Sequence, residues 1–196
     1  MNQHGESVNL NDQITALLTK GSEANEAAHA GGSYHFVCRD KDGNIKWEDD
    51  VENLVTTVGA NLLLDTLLAG SGYTTVGPFM GLINTNASAA AIGDTMASHA
   101  GWLEVGTTNA PQYTAPRKTI TFSAAASKSK ASTGTYTFAI ITTGGVIGGC
   151  FLVTGTSAVS TIDSTAGTLY SAGAFTGGSK TVAVSDSITV TYTATA

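Results

Sequence analysis

The sequence predicts a mainly β protein: a jelly-roll-like β-sandwich over residues 33–196 with one packed α-helix, preceded by a helical arm over residues 1–32. Three observations predict it. Charged residues make up only 12% of the chain, about half the roughly 25% usual in globular proteins, and Gly, Ala, Ser and Thr fill the gap. From about residue 75 onward the apolar residues recur at every second position, in short runs broken by Gly, Ser, Thr and Pro. Only two stretches before that point carry a helical period. At 196 residues the chain suffices for one domain with a substantial core.

The first helical period lies in "NLNDQITALLTK", residues 9–20. Leu10, Ile14, Leu17 and Leu18 fall at i, i+4, i+7 and i+8, which is one apolar face, with Asn9 or Asn11 placed to cap it and Gly21 to end it. A helix of that length is marginal alone in water and needs a surface to lie on. Four such side chains fully buried contribute roughly 1.5–3 kcal/mol each. "SEANEAAHAGGS" then reads as a linker. From Ser22 to Gly32 it reaches up to about 35 Å, enough to dock the arm away from its own body, on another protein or on a sister copy.

The body opens with a hairpin. "SYHFVCRD" alternates, "NIKWED" answers it, and Asp42-Gly43 between them suits a two-residue type I′ turn. That turn sets Cys38 opposite Trp47 on the inner face and Arg39 opposite Lys46 outside. The second helix runs from about Thr57 and is closed by Gly70. Its expected buried face is Ala60, Leu63, Leu64 and Leu67, with Asn61 and Asp65 wet. Strands are expected in "FMGLIN", "WLEV", "KTITFSA", "TYTFAIITT", "VIGGCFLVT", "TLYSAGAF", "KTVAV" and "SITVTYT". The last is the clearest, with Ile188, Val190 and Tyr192 alternating with Ser and Thr. About ten short strands and one long helix point to a sandwich, of which the jelly roll is a common viral form.

Charge narrows the partners. Residues 1–60 hold ten acids and four bases, while residues 61–196 balance at five of each. With no basic stripe, direct nucleic-acid binding is not expected. No apolar run approaches the ~18 residues of a membrane span, and "MNQHGESVNLNDQ" lacks the apolar core of a signal peptide. Cys38 and Cys150 sit in apolar surroundings and read as buried free thiols, with a disulfide as the lesser alternative. His4, His29 and His35 share no metal-ligand spacing with each other or with the cysteines, so no metal or cofactor is expected.

"GDTMASHAGW", residues 93–102, places Asp94, Ser98 and His99 close together. A Ser–His–Asp site needs nucleophile against base and base against acid, usually from distant segments. Adjacent helical side chains do not face one another, and the chain has no G-x-S-x-G elbow. The expectation is a capped helical turn leading into a strand at Trp102, with no catalytic residues. "DKDGN" lacks the Gly and Glu an EF-hand would need, since Ile45 and Val51 stand there. "GTTNAPQYTAPRK", residues 106–118, reads as a long exposed loop.

Several of these stretches together resemble small virion proteins of tailed bacteriophages. That family carries a D-K-D-G-x-x-K-W opening, a D-T-M-A-S-H-x-G-W centre and a G-D-T-L-x-V-T-Y-T-type end. The resemblance runs from about Ser33 to Ala196, is tightest across Asp94–Trp102, and loosens where Ser185-Asp186-Ser187 replace the family's residues. Residues 1–32 fall outside it. The resemblance implies a virion location and a structural role without catalysis. The leading expectation is a head decoration or cement protein that self-associates and binds the major capsid protein, with Leu10, Ile14, Leu17 and Leu18 as the arm's contact residues. The alternative is a tail- or fibre-associated module contacting the host surface, for example a glycan, for which Tyr113 is the candidate contact.

Overall fold

In the computed structural model, residues 30–68, 76–84 and 90–196 are described. The arm with Leu10, Ile14, Leu17 and Leu18, together with His4, His29 and Gly70, lies outside the described residues. The opening hairpin forms from β1 (Gly31–Arg39) and β2 (Ile45–Glu52). Cys38 pairs with Trp47 as the spacing requires, but the register slips by one at a bulge, so Arg39 faces Ile45 instead of Lys46. The cause is the turn. Only Gly43 takes a positive φ, of 86°, so the two-residue I′ form is replaced by a longer loop over Asp40–Asn44. Asp40 holds that loop by accepting from the backbone N–H groups of Asp42 and Asn44, each at 2.9 Å, and from the Asn44 amide at 3.1 Å. The Asn44 amide is the chief reason its carboxyl titrates below the usual range.

Next come β3 (Leu54–Val55) and α1 (Thr57–Leu68), and then β4 (Val76–Ile83), β5 (Lys118–Thr119), β6 (Ser129–Ala131) and β7 (Tyr136–Ala139). The chain closes with β8 (Gly145–Ile147), β9 (Gly149–Gly155), β10 (Thr168–Ala174), β11 (Lys180–Val182) and β12 (Ser187–Thr195). The protein is mainly β. One antiparallel sheet runs β2-β1-β12-β6, with β7 also paired to β12. A second runs β3-β10-β9-β4-β5, and β11 and β8 form a separate ribbon. Three strand expectations change. "WLEV" is a loop whose strand pairing with the second sheet is an isolated Ile83–Glu104 bridge. "KTITFSA" forms a strand only at Lys118–Thr119, with an isolated Phe122–Ser132 bridge beyond it. "VIGGCFLVT" breaks at Gly148, so its first part pairs with β11 and its second enters the sheet.

Alternation along the strands explains the core. Tyr34, Phe36 and Cys38 of β1 and Ile188, Val190 and Tyr192 of β12 share one buried cluster with Met80 and Leu82 of β4 and Cys150 and Leu152 of β9. The alternate residues of β9, Phe151 and Val153, belong to a second buried cluster with Met96, Trp102 and Leu169. β9 is therefore buried on both faces, which is why it reads as an unbroken apolar run. One face meets the first sheet's side chains. The other is covered by the 90–105 loop.

Helix α1 docks differently from its expected face. Gly59 and Leu62 are its buried residues, whereas Leu63, Leu64 and Leu67 are exposed, Leu67 by 77%. Asn61 and Asp65 are exposed as expected. The start of the helix decides this. Thr56, fully buried, caps it by accepting from the Gly59 N–H at 3.0 Å while its hydroxyl donates to the Leu169 carbonyl. Gly59 then lies so close to β10 that a Cβ there would stand 2.2 Å from the Tyr170 carbonyl oxygen. That contact fixes the roll of the helix and turns the leucines outward.

Candidate functional site

The polar residues of the central motif do not meet as an acid–base set. The Asp94 carboxylate accepts from the Trp102 indole N–H at 3.0 Å and from the Ala91 N–H at 3.0 Å. His99 stacks on Trp102 with ring centroids 3.8 Å apart, its Nδ1 lying 2.9 Å from the Trp102 carbonyl oxygen. Ser98 is exposed, and its N–H donates to the Thr95 hydroxyl at 3.0 Å. Tight turns closed by Thr95 and Ser98 replace the expected helical turn. Asp94 and His99 converge on Trp102, which is buried against Phe151 at 5.2 Å between ring centroids. The motif holds an indole as a plug on the outer face of β9.

Below it lies an ion pair that no spacing in the sequence signals. Arg117 is 1% exposed and grips Glu104 with two N–H groups, at 2.8 and 2.6 Å. The guanidinium also donates to the carbonyls of Val159 (3.1 Å) and Ser164 (2.7 Å) and lies over the Phe151 ring. Glu104 in turn accepts the Asp163 N–H at 2.8 Å. A buried pair is tolerable only when its remaining donors and acceptors are satisfied, and here the network ties the 106–118 loop to the 159–164 turn. The loop is therefore anchored at its far end by Arg117, which is held to Glu104 just before its start. Tyr113, expected outside as a surface contact, is 1% exposed and packs edge-on against Phe138.

Cys38 and Cys150 are free and buried. Burial raises the Cys38 thiol to about 11 and the Cys150 thiol well above its ordinary value, so neither is a thiolate nucleophile near neutrality. His35 points outward and pairs with Asp50 at 2.9 Å. Among the described residues no group of three or more His, Cys, Asp or Glu side chains comes together as a metal site. No helix among them is long and apolar enough to cross a membrane.

What the surface does offer is apolar. Leu63, Leu64, Leu67 and Leu68 of α1 are exposed, a concentration of aliphatic area that marks interaction surfaces more often than bare solvent contact. Beside them a groove of about 310 Å³ opens between α1, the second sheet and the end of β12. Leu62, Leu63, Leu152, Phe122 and Tyr192 line it, with Lys130 as its charged member. Helical spacing divides the leucines: Leu63 and Leu67 share the groove side, and Leu64 and Leu68 the face next to it. The expected arm contacts Leu10, Ile14, Leu17 and Leu18 lie outside the described residues.

Comparison of the chain with family models, with curated proteins and with solved structures gives no match.

Proposed function

We propose that this protein is a structural component of a tailed-phage virion, a head decoration or cement protein that binds the major capsid protein and stabilises the shell. In this reading its two main sheets form a jelly-roll-like β-sandwich, and copies self-associate on the particle. The observation that carries the reading is the use made of the central motif. Asp94 and His99, the groups most suggestive of chemistry, hold Trp102 in place, and we assign the chain no catalytic role or cofactor. Binding is then the work of apolar area, and Leu64 and Leu68 of α1 supply an exposed face for the capsid protein. The resemblance across Ser33–Ala196 supports the virion location. The tail alternative loses its candidate contact, because Tyr113 is buried.

The test is a count. Purified particles of the phage encoding this chain are analysed by quantitative mass spectrometry against the major capsid protein. Hundreds of copies per particle are expected. A handful or a dozen would move the protein to the tail or portal, and none would overturn the virion reading.

A further inference from the structure

We propose that the groove between α1 and the end of β12 is the seat of the chain's own Leu10–Leu18 segment. The first support is where the undescribed chain ends. Gly31 pairs with Thr195 and Gly32 with Ala194, and Ala194 and Tyr192 are themselves groove wall. At Gly32 the backbone runs so close to that wall that a Cβ would lie 2.6 Å from the Tyr192 hydroxyl. Residues 1–29 therefore join the body at the groove's rim.

The second support is reach. Gly21 to Ala30 are ten residues, spanning up to about 33 Å, far more than a return to an adjacent groove requires. The third is chemistry. Leu10, Ile14, Leu17 and Leu18 offer one apolar face to a groove lined chiefly by Leu, Phe and Tyr, with exposed Leu63 and Leu67 extending the same wall. Residues 1–29 carry four acids against one lysine, and the groove's charged member is Lys130. Tethering decides between copies. A segment joined to the rim has a high effective concentration at its own groove, which any neighbouring copy must exceed. The sequence alone favours a seat away from the body; the position of the groove reverses that preference. The inference does not depend on the virion reading.

The test uses the full chain. Hydrogen exchange over residues 10–18 is expected to be at least about tenfold slower than in a Leu17→Asp/Leu18→Asp variant, as for a segment protected by docking. Leu63→Asp, on an exposed position whose near-ultraviolet dichroism checks the fold, is expected to remove the same protection. Mild oxidation of a Leu17→Cys/Leu63→Cys variant, or of Leu17→Cys/Thr66→Cys, is expected to give a disulfide within one chain, since Cys38 and Cys150 are buried. Equal exchange in wild type and variants overturns the proposal. So does a disulfide joining two chains, which would place the arm on a sister copy. Neither result bears on particle copy number, so this proposal and the virion reading fail separately.

Discussion

Trp102 shows how a few polar side chains can be absorbed by one aromatic. Its buried indole N–H has the Asp94 carboxylate as partner. Removing that carboxylate by Asp94→Ala strands a buried donor and is expected to lower stability by about 1–3 kcal/mol, read by denaturant melts. Ser98→Ala, at an exposed position, is expected to stay within about 0.5 kcal/mol of wild type. A larger effect at Ser98 than at Asp94 would refute this division of roles. Glu104→Gln leaves the Arg117 charge uncompensated in a site that excludes water, and the expected loss is about 3–5 kcal/mol. Part of this was legible beforehand: the spacing of Asp94, Ser98 and His99 argues against a triad. The Glu104–Arg117 pair was not, because two residues thirteen positions apart in a patternless loop meet only through the loop's path.

Among the elements, α1 is the instructive one. Its length and period were legible, but its orientation was not. The count of leucines on each face favours burying Leu63, Leu64 and Leu67, yet capping by Thr56 and the close approach of Gly59 to Tyr170 outweigh that count. Glycine inside a helix ordinarily costs about 1 kcal/mol relative to alanine. Gly59→Ala is expected to reverse that sign and destabilise by about 1–3 kcal/mol through overpacking on the Tyr170 carbonyl, seen as a lower melting temperature. A Leu64→Asp/Leu68→Asp variant is expected to melt as wild type but to load poorly onto particles. Normal loading would remove α1 from the capsid contact. The β1–β2 register was likewise readable up to Cys38–Trp47, and failed only where a bulge served the Asp40 loop.

At the scale of the whole molecule, the core is rich in groups that fold only when neutral. Burial is the main cause raising Tyr34, Tyr113 and Tyr192 above the ordinary phenol value of 10.0, and Cys38 and Cys150 above the thiol value of 9.0. Each folded-state value lies above its unfolded counterpart. Their contribution to stability is thus fully present below about pH 9 and is lost as pH climbs past the thiol and then the phenol range. Lys46, raised by its hydrogen bond to Asp186, adds to the loss on the same side. The expected result is a flat stability profile through neutrality and a steep fall above about pH 9–10. Tyrosinate absorbance from the buried phenols should rise with unfolding and not before it. A rise well ahead of the loss of native structure would contradict this account.

The pairing of β1 with β12 also sets a schedule. Gly31 and Thr195 are register partners 164 positions apart in the chain, and β12 lies between β1 and the strands β6 and β7. The first sheet therefore gets its middle strand last. Until β12 has been made, β1 has only β2 beside it and presents an open edge, so cooperative folding waits for that strand. Long-range closure of this kind slows folding in general. Linking Thr195 to Gly31 through a short Gly/Ser bridge, and opening the chain between the neighbouring Gly177 and Gly178, turns that pairing into a local hairpin within a continuous β11-β12-β1-β2 run. Such a permuted body is expected to reach the same native spectrum and to refold faster in stopped-flow tryptophan fluorescence. An unchanged rate would mean that the β1–β12 closure is not the slow step.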